Sequence, residues 1–399
     1  MFPFTEGLIL KKRSNLTSRY IKSKAKYFGF LNKDSLELHY WVYELFYHIQ
    51  KRTNSRCILK GGAASQLHLP VDWQRCTNDI DCATDLSPKE LQKVMKSIKD
   101  DFTRNGLNSS YREYIPRNIK PHHRIIPMMT FIFDIPFVFK TKKRVRYPGI
   151  KVDFLFLNIS KLHKTKLISN ETLGLKLNYV PIAIDKYSTI SDKLITLASN
   201  SLGLESFKLE ALYKNIYDLY FLINTYNDLE SFKIISDRIK DSLNIEIEIK
   251  KGEYITIDSL LKDILFTLYD IATFSLRVNT SELPLQIIKF QDNTMQKEVR
   301  EKLNADMWSI MCLYLYIWVF SLKTYINDKD YSKLQGINSV IEQYEYFTSL
   351  MKKERRAFKR ELKDQIKIKD PNLILEGTGN PLRLIYLNYI LDNLKPNWI

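Results

Sequence analysis

Three aspartates have the residue type and spacing to do chemistry in this sequence. Asp79 and Asp81 are two apart in the segment NDIDCA, and Asp153 lies in the apolar segment KVDFLF. Residues two apart in a strand point to the same face, so the first two carboxylates should point the same way. Phosphoryl transfer from a nucleoside triphosphate (NTP) requires divalent metal ions, and Mg²⁺ prefers such oxygen ligands. The aspartates therefore predict a magnesium site, in which Asp153 is the third ligand and orients or deprotonates an attacking hydroxyl.

A pair of glycines, Gly61 and Gly62, supplies what a triphosphate would need. The apolar segment RCILK precedes the pair and Ala-Ala follows it, which predicts a strand, a glycine turn and a helix. Glycines let phosphate oxygens approach the backbone N–H groups at the positive end of the helix dipole. Each motif alone occurs by chance in many proteins. The connected order of strand, glycines, helix and two aspartate-bearing strands is what favours transfer of a nucleotidyl group.

Hydrophobic periodicity predicts the elements that position these residues. Ser87 begins a helix with Pro88 at its first position and Glu90 closing a capping box. Beyond residue 158 the pattern is helical, and we expect a domain boundary between residues 185 and 200. The other predicted elements are a helix at 34–51, strands at 56–60 and 78–83, and an antiparallel strand pair at 128–140 and 149–157.

Positive charge is the main signal in the composition. The chain has 61 Lys and Arg against 45 Asp and Glu, a net charge of +16. This favours a polyanionic partner such as nucleic acid, and an AT-rich coding sequence that enriches Lys codons is the alternative explanation. The basic residues cluster at 11–13, at 142–146 in the turn of the predicted strand pair, and at 352–369, a predicted helix with nine Lys or Arg and three acidic residues.

Other features of the sequence favour a cytoplasmic protein. The four cysteines form no C-x-x-C pair, which predicts reduced, buried thiols, and the first residues have no secretory pattern. The apolar segment 307–322 is 16 residues long, shorter than the ~20 of a membrane-spanning helix, so a buried central helix of a C-terminal bundle is favoured over a membrane helix. The six histidines form no metal-binding pattern.

Two groups of motifs resemble known proteins. The segments LKGGAA, TNDIDCATDL and KVDFLF are similar to the glycine and carboxylate motifs of the polymerase-beta-type nucleotidyltransferase superfamily. The segments ISDKLITLASN and LEALYKNIYDLYFLIN resemble the lysine-bearing and aspartate-bearing helices of the abortive-infection nucleotidyltransferase toxins, the AbiEii/AbiGii family. The resemblance covers about residues 35–225.

The resemblance implies a toxin paired with a separately encoded antitoxin, active in phage defence or growth arrest, with tRNA as an acceptor for some members. By motif position, Lys193 would bind the triphosphate, and Asp218 would be the final aspartate of a D-x-x-D motif. The sequence departs from the pattern at Asn215, where Asp is usual, and at Lys214, where Arg is usual. The spacing from Gly62 to Asp79 is also longer than usual.

Structural alternatives exist for the residues of the later motifs. Lys214 and Asp218 could form an exposed i,i+4 charge pair, worth only ~0.3 kcal/mol. Lys193 could be a solvated lysine at the edge of an apolar helical stripe. The cap-like segment TISD at 189–192 would place Lys193 in the first turn of its helix.

These observations predict an α+β fold: a nucleotidyltransferase-type mixed sheet with helices at 1–190, and a mostly α-helical domain at 191–399 that completes the cleft. The predicted function is Mg²⁺-dependent transfer of a nucleoside monophosphate (NMP) from an NTP to an RNA acceptor such as tRNA, by a toxin with a separate antitoxin and no membrane partner. The alternatives are a template-independent RNA-tailing or poly(A) polymerase, a non-catalytic fold that binds nucleotide or RNA, and an unrelated helical nucleic-acid-binding protein.

Overall fold

A computed structural model of the chain describes residues 17–107, 109–114, 126–136, 138, 149–167, 171–250, 254–278, 280, 282–375 and 378–394. The basic clusters predicted at 11–13 and 142–146 lie outside the described residues. The third basic cluster, at 352–369, is described in full.

The chain divides into two compact units. Unit 1 comprises Met1–Thr189 together with two later segments, Asn244–Glu253 and Lys289–Arg300. Unit 2 comprises the remaining residues: Ile190–Leu243, Tyr254–Ile288 and Glu301–Ile399. The first division therefore falls between Thr189 and Ile190. Because unit 1 also contains two segments from later in the chain, a single boundary in the sequence does not separate the two units.

A mixed sheet of seven strands, in the order β3-β4-β5-β2-β1-β9-β6, forms the frame of unit 1. Its central strands β2 and β5 are parallel, and β1 and β4 flank them in antiparallel orientation. Strands β7 and β8 form a separate two-stranded ladder. The strands are β1 (Cys57–Lys60), β2 (Asp79–Thr84), β3 (Ser110–Glu113), β4 (Met128–Asp134), β5 (Gly149–Phe156), β6 (Lys164–Lys166), β7 (Glu171–Thr172), β8 (Leu175–Lys176) and β9 (Ile182–Ile184).

The predicted bounds of β1, β2 and β5 agree with the structure to one residue, whereas β3 was not predicted. The prediction that the chain is helical beyond residue 158 is wrong for residues 164–184, where β6 to β9 lie. These strands are only two or three residues long, too short to show an alternating pattern. The antiparallel pairing of β4 and β5 is confirmed, although β4 ends at Asp134 and not at Lys140. The alternation of apolar residues turns one face of the central strands into a buried core, in which Ile80, Val152 and Phe154 are fully enclosed.

Helices α2 (Lys33–Arg52) and α4 (Pro88–Arg104) begin at side-chain caps, whereas α3 (Gly61–His68) begins without one. Asn32 accepts the N–H of Asp34 at the start of α2, and Ser87 and Glu90 form the predicted capping box of α4. Among the described residues, the α-helices that lie wholly within unit 1 are α1 (Ser18–Phe28), α2 (Lys33–Arg52), α3 (Gly61–His68), α4 (Pro88–Arg104) and α10 (Lys297–Arg300). Three helices run across the division: α5 (Lys186–Thr196), α7 (Leu229–Lys250) and α9 (Leu285–Thr294).

Unit 2 is helical in its described residues. Its longest helix, α11, has the length and composition of a membrane span, but 78% of its apolar window is buried inside the protein. The prediction of a buried core helix at 307–322 agrees with this burial. The helices of unit 2 are α6 (Leu209–Thr225), α8 (Ile257–Arg277), α11 (Ala305–Asp328), α12 (Gln335–Ser349), α13 (Lys352–Lys369) and α14 (Pro381–Asn393).

The predicted fold class is confirmed, because a mixed sheet with helices is followed by a helical C-terminal region. The four cysteines are free and buried, as predicted.

Candidate active site

The aspartates of the glycine and carboxylate motifs meet on two neighbouring strands. Asp81 of β2 pairs in register with Asp153 of β5, and Asp79 pairs with Lys151. Adjacent strands lie ~4.8 Å apart, and residues two apart on one strand are separated by ~6.6 Å. The side chains of Asp79, Asp81, Asp153 and Lys151 therefore extend from one face of the sheet, and their Cα atoms form the four corners of a small rectangle.

Two further polar residues extend this arrangement across the sheet. Lys60, at the end of β1, pairs in register with Asp81, and Thr130 of β4 pairs with Asp153. The hydroxyl of Thr130 donates to Oδ1 of Asp153 at 2.6 Å. The row Lys60, Asp81, Asp153 and Thr130 thus crosses four strands and holds the third carboxylate in a defined orientation.

Lys151 is the site residue that the sequence analysis missed. Its Nζ lies 2.5 Å from Oδ2 of Asp153. Burial by itself would lower the pKa of Lys151, but the hydrogen bond to Asp153 and the negative charges of Asp153, Asp81 and Asp79 outweigh it and raise the pKa. The period-two rule that placed Asp79 and Asp81 on one face also places Lys151 beside Asp153, and it could have identified this residue.

Gly61 brings the start of α3 against Asp81. Its φ of +62° lies in the left-handed region, and a Cβ atom at this position would overlap the Asp81 carboxylate. A side chain here would both strain the backbone and displace the carboxylate. The glycine is therefore needed by the geometry of the strand-to-helix turn, and it keeps a carboxylate next to the first N–H groups of the helix.

The donor set fits a divalent cation in chemistry and in backbone position. Three carboxylates share one face, and a cationic group, the Lys151 ammonium, is already bound to Asp153. Among the described residues, however, no three His, Cys, Asp or Glu side chains are gathered closely enough to ligate one metal ion. A metal at this site would require Lys151 to release Asp153 and the aspartate side chains to turn toward each other.

The side chain of a buried arginine from the loop after α3 lies beside the first residues of that helix, the two glycines. Arg75 is 4% exposed, and its Nη2 would be 3.6 Å from a Cβ atom at Gly62. The Thr77 hydroxyl would be 3.1 Å from the same position, and it donates to Oδ1 of Asp79 at 3.1 Å. Arg75 was not identified from the sequence, where it is one of many basic residues. Its burial beside the glycine turn makes it a candidate phosphate ligand.

Buried amide side chains hold the long connection between α3 and β2. Gln66 accepts the N–H of Arg75 at 2.7 Å, and Gln74 donates to the carbonyl of Gln66 at 2.8 Å. From the returning segment Lys289–Arg300, Gln296 donates to the carbonyl of Gln74 at 2.8 Å. The unusual spacing between the glycines and Asp79 is thus accommodated by a loop with satisfied, buried backbone groups.

His39 fixes the last part of this loop. Its Nδ1 accepts the N–H of Thr77 at 3.1 Å, so its Nε2 carries the proton and donates to the Thr172 hydroxyl at 2.6 Å. Burial, with a smaller contribution from the positive charge of Arg75, lowers the pKa of His39 to about 3. The ring therefore stays neutral at physiological pH and holds Thr77, whose hydroxyl in turn contacts Asp79.

The lysine and aspartate of the later motifs form a buried ion pair in unit 2. Lys193 Nζ lies 2.7 Å from Oδ2 of Asp218, and the two side chains are only 6% and 0% exposed. The same ammonium lies 3.0 Å from Oδ1 of Asn215. Asn215, where the family usually has Asp, therefore acts as a neutral acceptor beside an ion pair.

The structure excludes two structural alternatives for these residues and contradicts one prediction. Lys193 is not a solvated lysine, and the alternative of an exposed pair between Lys214 and Asp218 is excluded because the Asp218 side chain is 0% exposed. Lys214 pairs with Glu210 at 2.6 Å. Helix α5 begins at Lys186, three residues before the predicted cap segment, because the carboxylate of Asp185 accepts the N–H of residue 188 at 2.6 Å. Lys193 consequently lies in the last turn of α5 and not in the first.

A mixed sheet that presents aspartates on adjacent strands, beside a helix opened by two glycines, is the arrangement of a nucleotidyltransferase. The family model described as "Nucleotidyl transferase AbiEii toxin, Type IV TA system" matches residues 45–305. The match covers more than half of the chain, and the protein belongs to this nucleotidyltransferase toxin family, as the resemblance predicted. Membership of a type IV toxin-antitoxin family implies a separate antitoxin partner. No curated protein matches the chain significantly.

Proposed function

We propose that this protein transfers an NMP from an NTP to an RNA acceptor such as tRNA, with Mg²⁺ held by Asp79, Asp81 and Asp153. The observation that carries the proposal is the register pairing of Asp81 with Asp153 beside the Gly61 turn. In this role the protein is the cytoplasmic toxin of a phage-defence system. Its family, its basic charge and its metal-compatible carboxylates all support this function.

The proposed reaction forms one phosphorus–oxygen bond and breaks another. The acceptor hydroxyl attacks the α-phosphorus of the NTP, pyrophosphate leaves, and Asp153 accepts the proton of the hydroxyl. When bound, Mg²⁺ supplies the positive charge that offsets the charge developing on the phosphates. Asp153 is available as a base only after Lys151 has released it, so movement of Lys151 accompanies formation of the active site.

The triphosphate is bound by groups of opposite charge. The backbone N–H groups that follow Gly61 and Gly62 lie at the N-terminus of α3, which is the positive end of the helix dipole. Arg75 adds a planar guanidinium beside them. Lys193 is a further proposed triphosphate ligand, with Asp218 and Asn215 holding its ammonium in position. Asn215 cannot act as a base, so Asp218 is the only carboxylate that the D-x-x-D position contributes.

Label transfer tests the proposed function. The purified protein is incubated with Mg²⁺, total cellular RNA and each α-labelled NTP in turn. We expect one NTP to label RNA with few nucleotides per acceptor, whereas a tailing polymerase would add many. Asp81→Ala and Asp153→Ala should abolish labelling. Asp100→Ala, at an aspartate on α4 whose side chain is 44% exposed, is the matched control and should retain labelling.

Two results would contradict the proposal. Absence of labelled RNA with every NTP would favour a non-catalytic nucleotide-binding or RNA-binding protein. Equal labelling by the wild type and by Asp81→Ala would show that the carboxylates on β2 and β5 are not the catalytic site.

A further inference from the structure

The basic residues of α13 are separated by face. At about 100° per residue, seven of them fall within about 120° of the helix circumference, and the three acidic residues lie outside this arc. We name these seven residues the basic stripe, and it extends over about 22 Å from its first to its last residue at 1.5 Å per residue. The basic stripe consists of Lys352, Lys353, Arg356, Lys359, Arg360, Lys363 and Lys367.

The two basic residues outside the stripe have structural roles. Lys369 pairs with Asp392 and donates to Asn388 of α14 at 3.0 Å. Arg355 lies over the ring of Phe347, 5.7 Å from its centroid, and donates to a carbonyl of α12. The helix thus uses these two cations to attach itself to α12 and α14.

Six of the seven stripe residues differ from these two in pairing. Five of the seven are exposed, and Lys359 and Lys363 are partly exposed. Within the part of the chain that the structure describes, no ion pair involves Lys352, Lys353, Arg356, Lys359, Arg360 or Lys367. Seven like charges on one arc repel each other at low salt, and this repulsion is relieved when a polyanion binds.

The chemistry of the stripe distinguishes between classes of partner. A helix that lies on a membrane exposes an apolar face, whereas α13 turns Leu362 and Ile366 into the interior of unit 2. Protein interfaces have cores depleted in Lys and enriched in aromatic residues, and the stripe contains five lysines and no aromatic residue. A row of cations without acidic residues matches the phosphate backbone of a nucleic acid, whose affinity comes from counterion release.

We propose that the basic stripe of α13 binds the phosphate backbone of the RNA acceptor. The proposal rests on the proposed function in taking RNA as the acceptor. It adds the surface that holds the RNA through its backbone. Contacts to phosphates position a nucleic acid without reading its sequence, so the stripe contributes affinity and the active site selects the nucleotide that is modified.

The test compares two triple variants with the same change in net charge. The stripe variant is Arg356→Glu, Arg360→Glu and Lys367→Glu, and the control variant is Lys89→Glu, Lys93→Glu and Lys96→Glu, exposed lysines of α4. Binding of labelled bulk tRNA is titrated at several salt concentrations, for the full chain and in an Asp81→Ala background, where transfer is abolished. Circular dichroism melting checks folding, and the milder Gln substitutions at the same three positions replace any Glu variant that does not fold.

We expect the stripe variant to bind tRNA at least tenfold more weakly than the wild type. The slope of log affinity against log salt should become shallower by about 2 to 3, because three phosphate contacts are lost. The control variant should keep at least a third of the wild-type affinity. NTP binding should be unchanged in both variants.

Binding of labelled poly-glutamate, a probe for an acidic protein partner, is titrated in parallel. Three results would overturn the proposal: unchanged tRNA affinity and salt slope in the stripe variant, equal weakening in both variants, or loss of poly-glutamate binding without loss of tRNA binding. The last result would assign the stripe to an acidic protein partner. A protein that binds tRNA through the stripe but transfers no nucleotide would contradict the proposed function and leave the RNA surface intact.

Discussion

The ammonium of Lys151 lies 2.5 Å from Oδ2 of Asp153, two positions along the same strand. Lys151 is also the register partner of Asp79, so it stands at the one corner of the carboxylate rectangle that has no carboxylate. A lysine in this position neutralises part of the negative charge while no metal is bound. It also competes with any metal for Asp153.

Replacing Lys151 by methionine should therefore tighten metal binding. We expect Lys151→Met to bind Mn²⁺ about tenfold more tightly in the absence of nucleotide, a gain of about 1.4 kcal/mol, because the competing cation is removed. Isothermal titration measures this directly. Lys164→Met, which removes an exposed lysine from β6, is the matched control and should leave Mn²⁺ affinity unchanged. Weaker Mn²⁺ binding by Lys151→Met would mean that the lysine organises the carboxylates and does not compete with the metal.

A side chain at Gly62 should block the triphosphate. The Cβ of Gly62→Val would lie 3.1 Å from the Thr77 hydroxyl, a contact that small shifts can relieve, but its methyl groups would occupy the space where phosphate approaches the backbone. NTP affinity, measured by thermal shift, should fall at least tenfold with the melting temperature largely kept. Gly379→Val, at a glycine with open space around its Cβ position, should bind NTP like the wild type. Normal NTP binding by Gly62→Val would make the glycine pair an ordinary turn.

Arg75 should contribute to nucleotide affinity. Arg75→Met keeps the length of the buried side chain but removes the positive charge, so we expect the KM for NTP to rise about tenfold. Arg383→Met is a suitable comparison because Arg383 is also buried, 3% exposed, and is paired with Asp306 in unit 2. It should lower stability without raising KM. If the two variants affect KM equally, Arg75 has only a structural role.

His39 should make the protein less stable in mild acid. Its pKa is lowered to about 3 in the folded state, so between that value and its ordinary pKa near 6.5 the unfolded chain binds a proton that the folded chain does not. The stabilisation is complete above pH 6.5 and is lost as the pH falls, by about 1.4 kcal/mol at pH 5.5. Urea unfolding at pH 8.0 and 5.5 measures the loss. Between these two pH values, His39→Gln should lose about 1.4 kcal/mol less of its free energy of unfolding than the wild type does. His163→Gln is the control and should lose as much as the wild type. An equal loss in all three proteins would argue against a neutral buried ring at His39.

The buried pair of Lys193 and Asp218 should be costly to break. Asp218→Asn leaves the lysine buried without its counter-charge, so we expect the free energy of unfolding to fall by about 3 to 5 kcal/mol. Glu210→Gln removes one partner of the exposed pair with Lys214 and should cost less than about 1 kcal/mol. Urea denaturation of both variants gives the comparison. Similar losses in the two would show that Lys193 and Asp218 are solvated in solution.

Local patterns in the sequence were sufficient for features that depend on neighbouring residues. Strand alternation predicted that Asp79 and Asp81 share a face, and the capping residues predicted where α4 begins. The cap predicted for α5 was wrong because Asp185, which starts the helix, lies before the segment that resembled a cap. Local signals of similar strength can compete, and only the packed structure shows which of them is used.

Relationships between distant residues were decided by the tertiary structure. The sequence gives no register for two parallel strands that are far apart in the chain, so neither the pairing of Asp81 with Asp153 nor that of Asp79 with Lys151 follows from it directly. The burial of Lys193 with Asp218 likewise depends on two helices packing together. The sequence by itself determined the residue types, their strand faces and the family. Strand register and helix packing decided which charges meet, because pair energies depend on distance and burial, and these exist only in the folded chain.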